Sequence, residues 1–116
     1  MPYPEESALP EVSAAEAVTA VRAGAYLIDV REQYEWDAGH APQAHLVPMS
    51  ALLERLGDIP AETPLLVICH SGMRSERVTE YLLREGYEAS NVAGGMIAWN
   101  AAGGEIESDG PGTARV

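Results

Sequence analysis

The residues best suited to chemistry lie in the segment Cys69-His70-Ser71-Gly72-Met73-Arg74-Ser75 of this 116-residue chain. Its cysteine directly follows the apolar run 65–68, which is typical of a buried strand, and a helical pattern begins at Arg74-Ser75. A strand, a short loop and a helix in this order direct backbone N–H groups and a helix N-terminus at one point. Such a site favours a negatively charged sulfur and an anionic substrate.

The cysteine allows two interpretations. A lone cysteine at the end of an apolar strand is usually a small buried hydrophobic residue. Here, however, Arg74 follows Cys69 closely, and Gly72 permits a tight turn that would point amides inward. Ser71 and Ser75 add hydroxyl donors at the same place. Together these features favour a catalytic or anion-binding thiol.

Short apolar segments and helical patterns alternate along the chain. Strands are predicted at 26–30, 44–48, 65–69 and 91–93, and helices at 14–23, 50–56, 75–85 and 95–102, with a helical turn at 32–36. The helix at 14–23 begins with a capping box, and the helix at 50–56 has Leu52, Leu53 and Leu56 as its apolar face. This alternation predicts an α/β fold in which helices cover both faces of a mostly parallel sheet. Ligands of such sheets bind beyond the C-terminal ends of the strands, where Cys69 is expected.

The length of the chain indicates one domain. We predict an extended lead-in at 1–10, a domain at 11–104 and a flexible tail at 105–116. The first residues lack the basic and apolar regions of a signal peptide, and the apolar runs are too short to span a membrane. We therefore expect a cytoplasmic protein.

Charge and cysteine content exclude several functions. The chain has 18 acidic and 7 basic residues and a net charge of −11, which argues against nucleic acids and anionic membranes as partners. One cysteine excludes an internal disulfide, a CxxC redox pair and a four-cysteine zinc site. His40 and His45 do not show a spacing typical of metal ligands with Cys69 or His70. We therefore predict no metal site and no bound cofactor.

Three separated signatures make the chain resemble the single-domain rhodaneses, a family of sulfurtransferases. They are Leu27-Ile28-Asp29-Val30-Arg31-Glu32 with Tyr34-Glu35-Trp36 and Gly39-His40-Ala41-Pro42, then the loop 69–75, and then Gly94-Gly95-Met96-Ile97-Ala98-Trp99. The resemblance covers about residues 13–103 and implies a rhodanese-like three-layer sandwich. One departure is Gln43, where the family usually has glycine, so this turn either does not need a positive φ or tolerates some strain.

The resemblance implies a mechanism that passes through a persulfide. Cys69 would take the outer sulfur of a small anionic donor such as thiosulfate and deliver it to cyanide or to a thiol. The amides of residues 70–74 would hold the persulfide, and Arg74 would bind the donor by two parallel hydrogen bonds. The rest of the loop would line the mouth or bind substrate: His70, Ser71, Gly72, Met73 and Ser75.

Two groups of supporting residues are predicted outside the loop. A structural network of ion pairs and hydrogen bonds is expected at the end of the strand 26–30, formed by Asp29, Arg31 and Glu35. The second group is Gly94, Gly95 and Met96 at the start of the last helix. The two glycines either simply start that helix or bring backbone close to the persulfide, and the resemblance favours a position near the active site. Trp36 and Trp99 are interpreted as core aromatic residues.

The same residues bear on two other functions. A phosphatase loop of the form Cys-x5-Arg would need arginine at position 75, which is serine, and this argues against a phosphatase. The other is a sulfur-carrier or docking module that a partner enzyme loads within a sulfur relay, with little turnover of thiosulfate. The acidity of the chain fits such a role, because an acidic surface steers a basic partner.

Overall fold

The computed structural model describes residues 9–116, in which five parallel strands form one sheet in the order β1-β5-β4-β2-β3. The strands are β1 (Glu11–Val12), β2 (Tyr26–Asp29), β3 (His45–Leu46), β4 (Leu65–Ile68) and β5 (Ala89–Val92). The helices are α1 (Ala14–Arg22), α2 (Gln33–Ala38), α3 (Met73–Arg84) and α4 (Gly95–Ala101). The predicted α/β fold with a parallel central sheet is confirmed.

The central strands are apolar on both sides because the sheet separates two hydrophobic cores. On one face, Val78 and Leu82 of α3 pack with Ile28 and Val67 of the sheet. On the other face, residues of α1 and α4 pack with Leu27, Ile68 and Val92, and the largest side chain there is Trp99. Trp99 is 1% exposed, in agreement with its interpretation as a core residue. Burial on both faces explains the nearly continuous apolar runs of these strands.

The start of α1 has the predicted capping box. The backbone N–H of Glu16 donates to Ser13 Oγ at 3.0 Å, and the N–H of Ser13 donates to Glu16 Oε1 at 2.9 Å. These hydrogen bonds satisfy two N–H groups at the helix terminus. The bond from the Ser13 N–H to the carboxylate, followed by the Ser13 hydroxyl, lowers the pKa of Glu16.

Two predictions about apolar residues are wrong. The segment 50–56 does not form an α-helix but lies among two 3-10 turns, Met49–Ala51 and Leu56–Asp58, with Leu52 buried and Leu53 71% exposed. A segment this short forms too few i→i−4 hydrogen bonds to stabilise an α-helix, and Gly57 and Pro60 end it. Trp36 is only half-buried, and its ring stacks on the buried ring of His40 outside the two hydrophobic cores.

The register of β2 and β4 positions the site. Asp29 pairs with Ile68, and the N–H of Val30 donates to the Ile68 carbonyl at 2.9 Å. The residues that follow the two strands, Arg31 and Cys69, therefore leave the same edge of the sheet. This edge is the one at which parallel α/β sheets bind ligands.

The segment 105–116 lies along α2. Its Glu107 forms an antiparallel bridge with His40, the N–H of Arg115 donates to the Ala38 carbonyl at 2.9 Å, and Val116 packs against the core that contains α1 and α4. The flexibility of this tail stays a prediction. The lead-in predicted at 1–10 lies almost wholly outside the described residues. Between residues 9 and 116, no helix combines the length and the apolar character that crossing a bilayer requires.

Candidate active site

The sulfur of Cys69 accepts three hydrogen bonds at the C-terminal end of β4. The N–H of Gly72 lies 3.1 Å from Sγ, the N–H of Ser75 lies 3.3 Å away, and the Ser75 hydroxyl lies 3.2 Å away. Cys69 is 1% exposed and Ser75 is fully buried. Because donors fixed in a buried site need no reorganisation when charge develops, this arrangement stabilises an anionic sulfur.

Gly72 gives the loop its shape. It precedes α3 with φ +106°, a left-handed conformation that glycine adopts without steric penalty. This conformation turns the Gly72 N–H toward Cys69 Sγ. It also lets the twelve-residue helix α3 begin at Met73, with its N-terminal turn facing the sulfur. The positive end of the helix dipole therefore adds to the three hydrogen bonds.

The start of α4 holds the backbone of the cysteine loop from the other side. The N–H of Met96 donates to the Cys69 carbonyl at 2.7 Å, and the N–H of Ile97 donates to the His70 carbonyl at 3.2 Å. Gly95, with φ +58°, leaves no room for a side chain, since a Cβ there would lie 2.5 Å from the carbonyl carbon of His70. Gly94 and Gly95 thus both start α4 and lie against the cysteine loop.

The guanidinium group of Arg74 forms an ion pair with the carboxylate of Glu35. It lies in the first turn of α3, because the helix begins earlier than the predicted residue 75. Its Nη1 and Nη2 donate to the two carboxylate oxygens of Glu35 at 2.8 and 2.9 Å. These bonds lower the pKa of Glu35 to about 2 and raise the pKa of Arg74. The two parallel bonds that were expected to hold a donor molecule are therefore made to Glu35.

The network predicted at the end of β2 consists of two ion pairs, Arg31 with Asp29 and Arg74 with Glu35. Arg31 Nε and Nη2 donate to Asp29 Oδ1 at 3.0 Å and Oδ2 at 2.7 Å, and both side chains are buried. Nη2 also reaches the Gly39 carbonyl at 2.7 Å. The Arg31 and Arg74 pairs are linked where Arg31 Nη1 approaches the backbone carbonyl of Glu35 at 3.4 Å. Asp29 and Arg31 thus tie the end of β2 to the middle and the C-terminal end of α2.

A cavity of about 240 Å³ lies beside the loop. Of the predicted mouth residues, His70 lines it, whereas Met73 is 70% exposed and Ser71 is also exposed. Four further lining residues were not predicted as site residues: Tyr34 and Ala38 of α2, and Arg115 and Val116 of the C-terminal segment, which carries no recognisable pattern.

The turn at 41–44 shows whether position 43 needs a positive φ, for which the family usually has glycine. The N–H of Ala44 donates to the Ala41 carbonyl at 3.0 Å, and among residues 9–116 a positive φ occurs only at glycine. The turn therefore does not need the glycine that the family usually has there.

Comparisons with known proteins agree with the three signatures. Residues 13–102 match the profile of the rhodanese-like domain. The Bacillus subtilis (strain 168) protein YtwF is 43% identical over 74 residues, which are 64% of this chain and 72% of YtwF. Thiosulfate sulfurtransferase GlpE of Vibrio cholerae serotype O1 is 29% identical over 99 residues, 84% of this chain and 92% of GlpE. The crystal structure of a rhodanese-like domain protein from Staphylococcus aureus superimposes with a TM-score of 0.77 at 32% identity, covering 86% of this chain and all of that one.

Proposed function

Because the chain belongs to the rhodanese-like domain family, we propose that it is a sulfurtransferase that carries sulfane sulfur as a persulfide on Cys69. The observation that carries this proposal is the convergence of three hydrogen-bond donors on Cys69 Sγ. Relatives named as sulfurtransferases, GlpE among them, support the same class of reaction.

The reaction has two steps. The Cys69 thiolate attacks the outer sulfur of thiosulfate, the sulfur–sulfur bond of thiosulfate breaks, and sulfite leaves with the bonding electron pair. The resulting Cys69–S–S⁻ anion then transfers its outer sulfur to cyanide, giving thiocyanate, or to a thiolate, giving a new persulfide, and the Cys69 thiolate is restored. Both steps keep a negative charge beside the amides of Gly72 and Ser75, so the same donors serve the two steps.

The surrounding residues position the loop in this proposal. The Glu35–Arg74 pair fixes the first turn of α3, and Met96 and Ile97 hold the carbonyls of Cys69 and His70. A donor would reach Arg74 only through the N–H groups that Glu35 does not use. His70 and the neighbouring cavity would receive the donor or the acceptor.

Intact-mass spectrometry tests the persulfide directly. After incubation with excess thiosulfate, the wild-type chain should gain one sulfur atom and lose it again on addition of cyanide or dithiothreitol. The Cys69→Ser variant should gain none. A sulfur adduct of equal yield in this variant would contradict the proposal, because no other cysteine is present.

One observation favours a second candidate, a sulfur carrier loaded by a partner enzyme. Glu35 neutralises Arg74, and the chain has a net charge of −11, so Arg74 and the overall charge of the chain attract a thiosulfate dianion little. A protein donor such as a cysteine desulfurase would deliver sulfur without that barrier. Slow loading by thiosulfate together with rapid loading by a desulfurase would favour the carrier, and the reverse order would favour the thiosulfate enzyme.

A further inference from the structure

His40 is buried where α2 meets the segment 105–116, away from the cysteine loop. Its side chain is 3% exposed, and Nδ1 lies 2.7 Å from the backbone carbonyl of Trp36. A carbonyl oxygen only accepts hydrogen bonds, so Nδ1 carries the hydrogen. In the neutral ring, the lone pair is then on Nε2.

This Nε2 atom points at two carboxylates. It lies 3.3 Å from Glu107 Oε2 and 3.6 Å from Asp109 Oδ1, and one ligand atom from each of the three residues lies within 4.8 Å of the others. No hydrogen bond within residues 9–116 joins Nε2 to either oxygen. A buried nitrogen lone pair and two anionic oxygens thus face one another, an arrangement that a cation between them stabilises.

Neighbouring groups orient the side chains of His40 and Asp109 and fix the backbone of Glu107. The Trp36 ring stacks on the His40 ring with centroids 3.8 Å apart, and Trp36 Nε1 donates to Asp109 Oδ2 at 3.1 Å. Two backbone hydrogen bonds of 2.9 and 2.8 Å join His40 to Glu107. A carbonyl that accepts from the second ring nitrogen of a histidine, and a donor that binds the second oxygen of a carboxylate, are the usual outer shell of protein metal sites.

We propose that His40, Glu107 and Asp109 bind one divalent metal ion of the zinc class, with water completing the coordination. Zinc bonds of about 2.0–2.2 Å in a tetrahedron place ligand atoms roughly 3.3–3.6 Å apart, close to the two distances from Nε2. Imidazole with carboxylates suits zinc better than calcium or magnesium. The bound ion would tie residues 107–109 to the end of α2 and so hold Arg115 and Val116 at the cavity beside His70.

Calorimetric titration with Zn²⁺ alone, supported by native mass spectrometry, tests the site. Every sample is the full chain with Cys69→Ser, so that the thiol does not bind the metal. We expect one Zn²⁺ per chain and a rise in Tm. The Glu107→Gln/Asp109→Asn variant should bind at least about tenfold more weakly. Both residues are half-exposed, so these changes should leave the fold intact, as circular dichroism checks.

A matched control separates a specific site from the attraction of an acidic protein for cations. The Glu105→Gln/Glu88→Gln variant removes the same charge at exposed positions outside the cluster and should bind Zn²⁺ like the parent. In NMR spectra, Zn²⁺ should shift the ring nitrogens of His40 but not those of His45. Absence of Zn²⁺ binding, or equal affinities in the two double variants, would overturn the proposal and assign the cluster to a protonated His40 paired with the carboxylates.

Discussion

Replacing Gly95 by alanine should damage the cysteine loop through one methyl group. The added Cβ would lie 2.5 Å from the carbonyl carbon and oxygen of His70 and closer still to the carbonyl oxygen of Cys69. These are backbone atoms, which do not swing away as the end of a flexible side chain does. The substitution therefore has to move the loop, or α4, or both.

The size of the effect follows from two contributions. Alanine at φ +58° costs about 1–2 kcal/mol because its Cβ is crowded in the left-handed region. Forcing a methyl group into packed backbone costs a further 1–3 kcal/mol or so, and reduced freedom of the unfolded chain returns about 0.4–1 kcal/mol. We expect a net loss of about 1–5 kcal/mol in the free energy of unfolding. A shift of the loop by about 1 Å should slow persulfide formation up to roughly a hundredfold.

Gly103→Ala is the matched control. Gly103 also has a left-handed φ of +86°, but a Cβ added there would meet no atom within 4 Å, so only the conformational contribution remains. Urea unfolding measures both variants, and single-turnover mass spectrometry measures their rates of sulfur uptake. If Gly95→Ala were no less stable than Gly103→Ala and took up sulfur equally fast, the inference that Gly95 supports the cysteine loop would be refuted.

Three further predictions concern the ion pairs and the sulfur. The pKa of Glu35 is about 2 in the folded chain and near 4.5 in the unfolded chain. Above pH 5 its pair with Arg74 should therefore contribute about 1–2 kcal/mol to the free energy of unfolding. This is less than the full pKa shift implies, because Arg74 is 35% exposed to solvent. That contribution should disappear between pH 4.5 and 2, and a constant difference in urea stability between wild type and Glu35→Gln over this range would contradict it. Ser75→Ala should keep the fold but slow single-turnover sulfur uptake about tenfold, because one hydrogen bond to Sγ is lost; an unchanged rate would contradict this role. Arg31→Ala should lower stability by about 3–5 kcal/mol by leaving Asp29 buried without its cation, and Asp29→Asn with Arg31→Met should recover part of the loss in the same urea assay.

Local patterns were enough to predict the elements that carry the cysteine loop. The apolar run before Cys69, the glycine at position 72 and the capping box at Ser13 each act within a few residues, so the sequence displays them directly. The leucines at 52, 53 and 56 show the limit of such patterns. Their helical spacing is present, but the segment is too short for an α-helix and leaves Leu53 exposed.

Partners that are distant in sequence could not be predicted. Arg74 and Glu35 are 39 residues apart, and nothing local shows that Glu35 binds Arg74 rather than Arg31. Trp36 and Asp109 are 73 residues apart, and the segment that carries Asp109 has no periodicity to indicate where it docks. The register of the sheet and the path of the C-terminal segment decide these contacts.

The hydrogen bond from Met96 to the Cys69 carbonyl also has a consequence for biosynthesis. During translation Cys69 emerges from the ribosome before α4, whose Met96 donates to its carbonyl. Strand β1 can pair with β5 only after the intervening stretch of about 80 residues has been synthesised. Contacts between such distant segments form late, because a long loop has to close first. We therefore expect the nascent chain to expose an unsupported thiol, and the cysteine loop to reach its final conformation only after β5 and α4 have emerged.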